Sequence, residues 1–246
     1  MRSLVLSLIL LVAVGQSATA SPVKRERHEV DIEKTPWSAI GRVNNGGHSH
    51  CTGVLVSRRV ALTAAHCLYN KRTKSFFPPR YVYFMLGYNR GRYLFNTKAT
   101  RTLVAPGFQP ASATSNIAAD WALLLLEQPA PEIVSPLSEA SAHNAAKELI
   151  PAGYAQDRSH ILTHSAPCQT KGTENNLVAS DCDLPSGYSG GPLLDGGSNH
   201  LVGLNIARGT VSGMPLAISI LPSAWRTALS ALETEAAPIK NAAPIE

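Results

Sequence analysis

The chain has 246 residues, of which 44% are hydrophobic, 16% charged and 6% aromatic, with 18 Gly, 17 Pro and four Cys. That length allows one large domain or two small ones, and the composition excludes a disordered chain, a collagen, a coiled coil and a multi-span membrane protein. The formal net charge of +5 is modest and scattered, so nothing in it demands nucleic acid as a partner.

The chain opens on a targeting segment. Met1-Arg2 is a short basic start, Leu4 to Val14 is an apolar run of signal-peptide length, and Ala18-Thr19-Ala20 meets the small-residue cleavage rule. Residues 1–20 are expected to direct export and be removed. The run is too short for an anchor, since spanning a bilayer takes about 20 apolar residues. The apolar stretch Trp121 to Leu126 is bracketed by Asp120 and Glu127, so the mature chain is expected to be soluble, with no membrane insertion, in the extracellular space or periplasm. In residues 21–34, Lys24, Arg25, Arg27 and Lys34 balance Glu26, Glu29, Asp31 and Glu33 with almost no apolar content. This reads as a pro-segment, with Lys24-Arg25 as a processing site, or as a flexible arm or poorly ordered mature start.

The folded domain is expected over 35–232. Trp37 to Val43 and Cys51 to Val56, joined by Asn44-Asn45-Gly46-Gly47, predict a hairpin. Further strands are predicted at Tyr81 to Leu86, Tyr93 to Phe95, Thr100 to Val104, Trp121 to Leu126, Leu193-Leu194, Leu201 to Ile206 and Pro215 to Ile220. Many short strands without long amphipathic helices between them indicate an all-β barrel or sandwich. Ser138 to Leu149 carries a weak helical signal. Ser223 to Leu232 carries a better one, because Ser223 can cap it and Trp225, Leu229 and Leu232 share a face. The Ala/Pro-rich residues 233–246 read as a flexible tail.

Export makes disulfides the default for the four cysteines, which allow three connectivities. The local pairs Cys51 with Cys67 and Cys168 with Cys182 are the most economical. Neither spacing has the paired form of a zinc site, and His48, His50, His160 and His164 stand in no metal-binding pattern and read as surface histidines. No metal and no cofactor is expected.

Three segments carry chemistry: Leu62-Thr63-Ala64-Ala65-His66-Cys67, Asp120-Trp121-Ala122-Leu123-Leu124, and Ser186-Gly187-Tyr188-Ser189-Gly190-Gly191-Pro192. Each alone has a dull reading, as a core histidine, a turn acid or a glycine-flanked turn serine. Together they supply a nucleophile, a base that titrates near neutrality and a carboxylate to fix its tautomer. The glycines allow the sharp bend that lets the backbone N–H groups of Gly187 and Ser189 point at one spot.

In the order His, Asp, Ser, these segments resemble the trypsin/chymotrypsin-like serine peptidases, over about Pro36 to Leu232. Ala39-Ile40-Gly41-Arg42-Val43 with its Gly-rich turn, and Cys168 with Ser180-Asp181-Cys182-Asp183, are similar to the bacterial secreted, glutamyl endopeptidase-like branch. The resemblance implies two six-stranded antiparallel β-barrels with a C-terminal helix, His66 and Asp120 on the first barrel and Ser189 on the second. It implies that Ser189 attacks the scissile carbonyl, His66 carries the proton, Asp120 orients the imidazole, and Gly187 and Ser189 hold the oxyanion. It also gives Cys51–Cys67 as the staple of the histidine loop.

The chain departs from the family in places. Tyr188 stands where animal members carry the Asp that pairs with a new amino terminus, so activation is expected not to use that ion pair. Ile206 falls where a Ser bonds the triad Asp. The expected specificity pocket contains Asp183, Asn205 and Arg208: Asp183 is either a carboxylate for basic side chains or a structural acid beside a disulfide, Asn205 stands where glutamyl endopeptidases use a His, and Arg208 either favours an acid or narrows the pocket. The expected function is a secreted serine endopeptidase acting on polypeptide as a monomer. The alternative is a non-catalytic trypsin-like binding module.

Overall fold

The computed structural model describes residues 26–46, 49–110, 116–140 and 148–236. The expected signal segment, most of the expected tail and the middle of the weak helical stretch lie outside the described residues.

After an edge strand β1 (Arg27–Glu29), the first half runs β2 (Ile40–Asn45), β3 (Ser49–Ser57) and β4 (Val60–Thr63). A small hairpin, β5 (Tyr69–Asn70) and β6 (Ser75–Phe76), precedes β7 (Val82–Leu86), β8 (Phe95–Val104) and β9 (Ala122–Leu126). The order β2-β3-β4-β9-β8-β7 closes into a barrel, and every pairing in it is antiparallel. Alternation sets the faces: Val82, Phe84 and Leu86 are fully buried while Tyr83 between them is exposed. The predicted hairpin is β2 with β3, in the register Val43 opposite Cys51. The two strands predicted within 93–104 are one, bent by a bulge between Ala99 and Arg101.

The second half contains β10 (Leu149–Gly153), β11 (Thr163–Ser165), β12 (Thr170–Glu174), β13 (Leu177–Ser180), β14 (Pro192–Asp195), β15 (Leu201–Val211) and β16 (Met214–Ile220). It is an eight-stranded sheet ordered β1-β11-β10-β14-β15-β16-β13-β12 rather than a simple barrel of six. The sheet nevertheless curls back on itself. Leu149 and Cys168, just ahead of β12, exchange two backbone hydrogen bonds of 2.8 and 2.9 Å, so β10, β14, β15, β16, β13 and the lead into β12 form a ring. Strands β11 and β1 are appended to it.

Strand β1 departs from the reading of 21–34 as a flexible arm, for its described part. Arg27 ion-pairs with Asp157, His28 lies over His164 with ring centres 5.3 Å apart, and Glu29 pairs with Arg90. Three successive polar residues thus each have a tertiary partner. Apolar content, the signal used in reading the sequence, is blind to a strand held this way.

The weak helical stretch ends differently from its prediction: Leu149 begins β10. The C-terminal helix α1 spans Arg226–Ala236, starting later and ending later than predicted. The hydroxyl of Ser223 does not cap it but donates to Asn176 at 2.8 Å. Fully buried Trp225 and nearly buried Leu232 set the helix against β4 and β9 of the first barrel. Helix α1 therefore clamps the two halves together through apolar burial.

Candidate active site

Strands β4 and β9 are antiparallel neighbours, with Thr63 opposite Ala122, so the chain leaves β4 at the same end at which it enters β9. His66 sits on the short turn after β4 and Asp120 immediately before β9. One Asp120 oxygen accepts from the His66 backbone N–H at 2.8 Å and the other lies 2.6 Å from His66 Nδ1. The carboxylate is nearly buried, its side chain 8% exposed, while the imidazole is 35% exposed and reaches solvent. That geometry fixes the ring and leaves Nε2 turned outward. Ile206 sits at a bulge in β15 and brings no polar atom to Asp120.

The Cys51–Cys67 disulfide, with an S–S distance of 2.02 Å, staples the histidine turn to β3, and Cys168–Cys182 braces the approach to the serine loop. Cys51, His66 and Cys67 cluster within 4.8 Å. The two sulfurs are bonded to each other, so they offer no thiolate to a metal.

His66, Gly187 and Ser189 line one cleft of about 430 Å³, together with His50, Lys71, Gln156, Ser186, Asn205, Ile206 and Arg208. The serine loop is fixed to the first barrel by Thr52, a fully buried residue of β3. Its N–H donates to the Ser189 carbonyl at 3.0 Å. Its hydroxyl donates to the Gly187 carbonyl at 2.8 Å and accepts from the Tyr154 N–H at 2.9 Å. Nothing in the sequence signals this role, because a threonine after a cysteine is ordinary. Gly190 has φ +79°, and a Cβ there would lie 2.3 Å from the Thr52 carbonyl oxygen, so the close approach of loop and barrel requires glycine.

The expected pocket residues separate. Arg208 lines the cleft and donates to Ser186 Oγ at 3.0 Å. Asn205 also lines it, but its amide is occupied, donating to the Pro192 carbonyl at 2.7 Å and accepting from Ser219 at 2.9 Å. Asp183 does not line this cleft. It borders a neighbouring recess with Arg27, Asp157 and Arg208. Two histidines read as surface residues are more deeply placed: His50 lines the cleft beside the Tyr154 carbonyl, and His164 stacks on Trp37 with ring centres 5.3 Å apart. Burial, reinforced by Arg42, holds the His50 pKa below the usual imidazole value.

Tyr188 is fully buried, and its hydroxyl lies 2.8 Å from both the hydroxyl and the carbonyl oxygen of Thr163. A neutral phenol thus fills the place expected of a carboxylate. Burial pushes its pKa from 10.0 up to about 12. The folded chain therefore keeps a proton that the unfolded chain releases above pH 10. Stability from this source is whole below that value and falls as pH rises toward 12. Thermal midpoints measured from pH 8 to 11.5 are expected to decline above pH 10, and Tyr188→Phe to decline less steeply.

The family model described as Trypsin matches residues 24–216. A solved structure, "Structure of Glu endopeptidase in complex with MPD", superposes with a TM-score of 0.71 at 20% identity, covering 85% of this chain and 97% of that one. No curated protein matches. With the matched region spanning both halves of the fold and all three chemical segments, the chain belongs to the trypsin family of serine peptidases.

Proposed function

We propose that this protein is an exported endopeptidase that cleaves polypeptides through an acyl-enzyme, with Ser189 as nucleophile, His66 as general base and acid, and Asp120 as the group that orients and stabilises the imidazolium. The observation that carries this reading is the doubly bonded His66–Asp120 pair at the edge of the cleft that Ser189 also lines. The N–H groups of Gly187 and Ser189 receive the oxyanion. Catalysis follows the usual two halves: Ser189 Oγ attacks as its proton passes to His66 Nε2, the amine leaves with that proton, and water reverses the sequence to free the acid. Buried Tyr188 supports activation without an ion pair to a new amino terminus, and the protein works as a monomer.

Substrate preference follows from charge. The cleft lining holds Lys71 and Arg208 and, among the described residues, no carboxylate, so an acidic side chain before the scissile bond is favoured over a basic one.

Two measurements test this. A fluorophosphonate probe is expected to add to Ser189, found by mass spectrometry of the adduct. Cleavage-site profiling on a peptide library is expected to show Glu or Asp enriched at the position preceding the cut. No adduct on the mature protein would overturn the peptidase reading. Enrichment of Lys or Arg would overturn the charge argument and bring Asp183 back into the pocket.

A further inference from the structure

We propose that Arg27, on the N-terminal edge strand, is a positioning residue for the oxyanion hole: its ion pair with Asp157 fixes the turn whose Gln156 N–H holds the Ser186 carbonyl away from the cleft. The proposal rests on the Ser189 reading above.

The link begins with one peptide plane. The Ser186 carbonyl oxygen accepts from the Gln156 N–H at 2.7 Å. In a trans peptide the C=O and the following N–H point in opposite directions. Anchoring the Ser186 oxygen on Gln156 therefore turns the Gly187 N–H the other way, away from Gln156. Were that oxygen released, the plane could rotate and present an acceptor where a donor is needed. The loop also packs directly on the segment that holds it: a Cβ on Gly187 would lie 2.2 Å from the Tyr154 oxygen and 3.0 Å from the Gln156 nitrogen.

Gln156 belongs to a short exposed turn, Gln156–Arg158, closed locally by the bond from Arg158 N–H to the Ala155 carbonyl at 3.0 Å. Such a turn has little rigidity of its own. At its centre Asp157 takes both arms of the Arg27 guanidinium, at 2.7 and 2.5 Å, across a sequence separation of 130. The Arg27 side chain is only 4% exposed, and the hydrogen bond to Asp157 raises its pKa against the cost of burial. A two-pronged pair fixes orientation as well as distance, which a lysine cannot reproduce.

Strand β1 holds Arg27 in turn. Arg27 and Glu29 stand opposite Ser165 and Thr163 in the antiparallel register with β11, and the Ala166 N–H donates to the Glu26 carbonyl at 3.0 Å. Strand β11 is the strand on which Tyr188 hydrogen-bonds. The N-terminal strand and the serine loop thus meet the same two supports, β11 and the 156–158 turn. A processing cut after Arg25 leaves this device intact, whereas a cut after Arg27 removes it.

The test uses the full mature protein with Arg27→Met, Arg27→Lys and Asp157→Asn. Two readouts are taken on each: hydrogen exchange of the Gln156 amide, and kcat and KM separately on a peptide substrate. Arg27→Met and Asp157→Asn are expected to raise Gln156 exchange about tenfold and to lower kcat about tenfold or more with KM within about twofold, a fraction of what losing a hole donor outright costs. Arg27→Lys should fall between them and wild type. Unchanged exchange, or raised exchange with full kcat, overturns the proposal. The two ends of the pair are probed separately, so one unfolded variant leaves the other to decide. If neither folds, the pair is structural and the positioning role is wrong. If wild type turns over no peptide and takes no fluorophosphonate, the Ser189 reading fails instead, and Gln156 exchange alone decides whether Arg27 governs the turn.

Discussion

Ser189→Ala is expected to reduce peptide turnover by about 10⁵- to 10⁶-fold, and Asp120→Asn by about 10⁴-fold, with the thermal midpoint of both close to wild type. Ser189 ties the loop to β3 through its carbonyl, which accepts from the Thr52 N–H, so removing the hydroxyl leaves the anchoring intact. The Asp120 substitution is more instructive. An asparagine can still accept from the His66 backbone N–H with its oxygen, but it then turns an NH₂ toward Nδ1, where the carboxylate oxygen now lies at 2.6 Å. The imidazole must answer with its lone pair, which moves its proton to Nε2, the nitrogen that has to receive the serine proton. The loss is therefore a tautomer effect and should appear in kcat rather than in KM. Because the residues act as one unit, the double variant should be little worse than Ser189→Ala alone. Turnover retained in Ser189→Ala, or strictly multiplicative losses, would refute the assignment.

The parts of this site that could be read from sequence are those whose chemistry sits in side chains at turns. His66, Asp120 and Ser189 each stand beside a strand and have types that few other roles combine. The cysteines were legible because the export expected from the first twenty residues makes local disulfides the economical solution, and Cys51 is bonded to Cys67 and Cys168 to Cys182. What escaped was held by backbone or by charge. Thr52 acts through its hydroxyl and its N–H, and Gln156 through its N–H, groups too common along a chain to single out one position. Strand β1 is stabilised by ion pairs and ring contacts on a sheet edge, so it leaves no hydrophobic pattern. Strands β11, β12 and β13 are short, and β12 (Thr170–Glu174) is largely exposed and has no apolar residue, so alternation had nothing to register. At the pocket, position relative to Ser189 suggested Asp183, but Asp183 borders the adjoining recess, whereas Arg208 lines both that recess and the cleft.

Gly187→Ala should lower kcat by about 10²- to 10³-fold while KM changes only a few-fold, the signature of an interaction made in the transition state. Gly187 has φ +99°, a conformation costly for any residue with a side chain, and its Cβ would meet the Tyr154 carbonyl oxygen at 2.2 Å. That oxygen cannot retreat easily, because the Tyr154 N–H is held by Thr52 and its hydroxyl by the Tyr88 carbonyl. The loop must yield instead, and the Gly187 N–H is the first group carried out of line. The local strain is about 1–3 kcal/mol, enough to lower the thermal midpoint by several degrees without unfolding a domain whose core lies elsewhere. Gly172→Ala is the matched control, since its φ is unremarkable and no atom lies within 4 Å of the added Cβ. It should be silent in both rate and stability. A Gly187→Ala protein with full kcat would mean that the oxyanion is held elsewhere. Equal losses in the two alanine variants would mean that the effect has nothing to do with the hole.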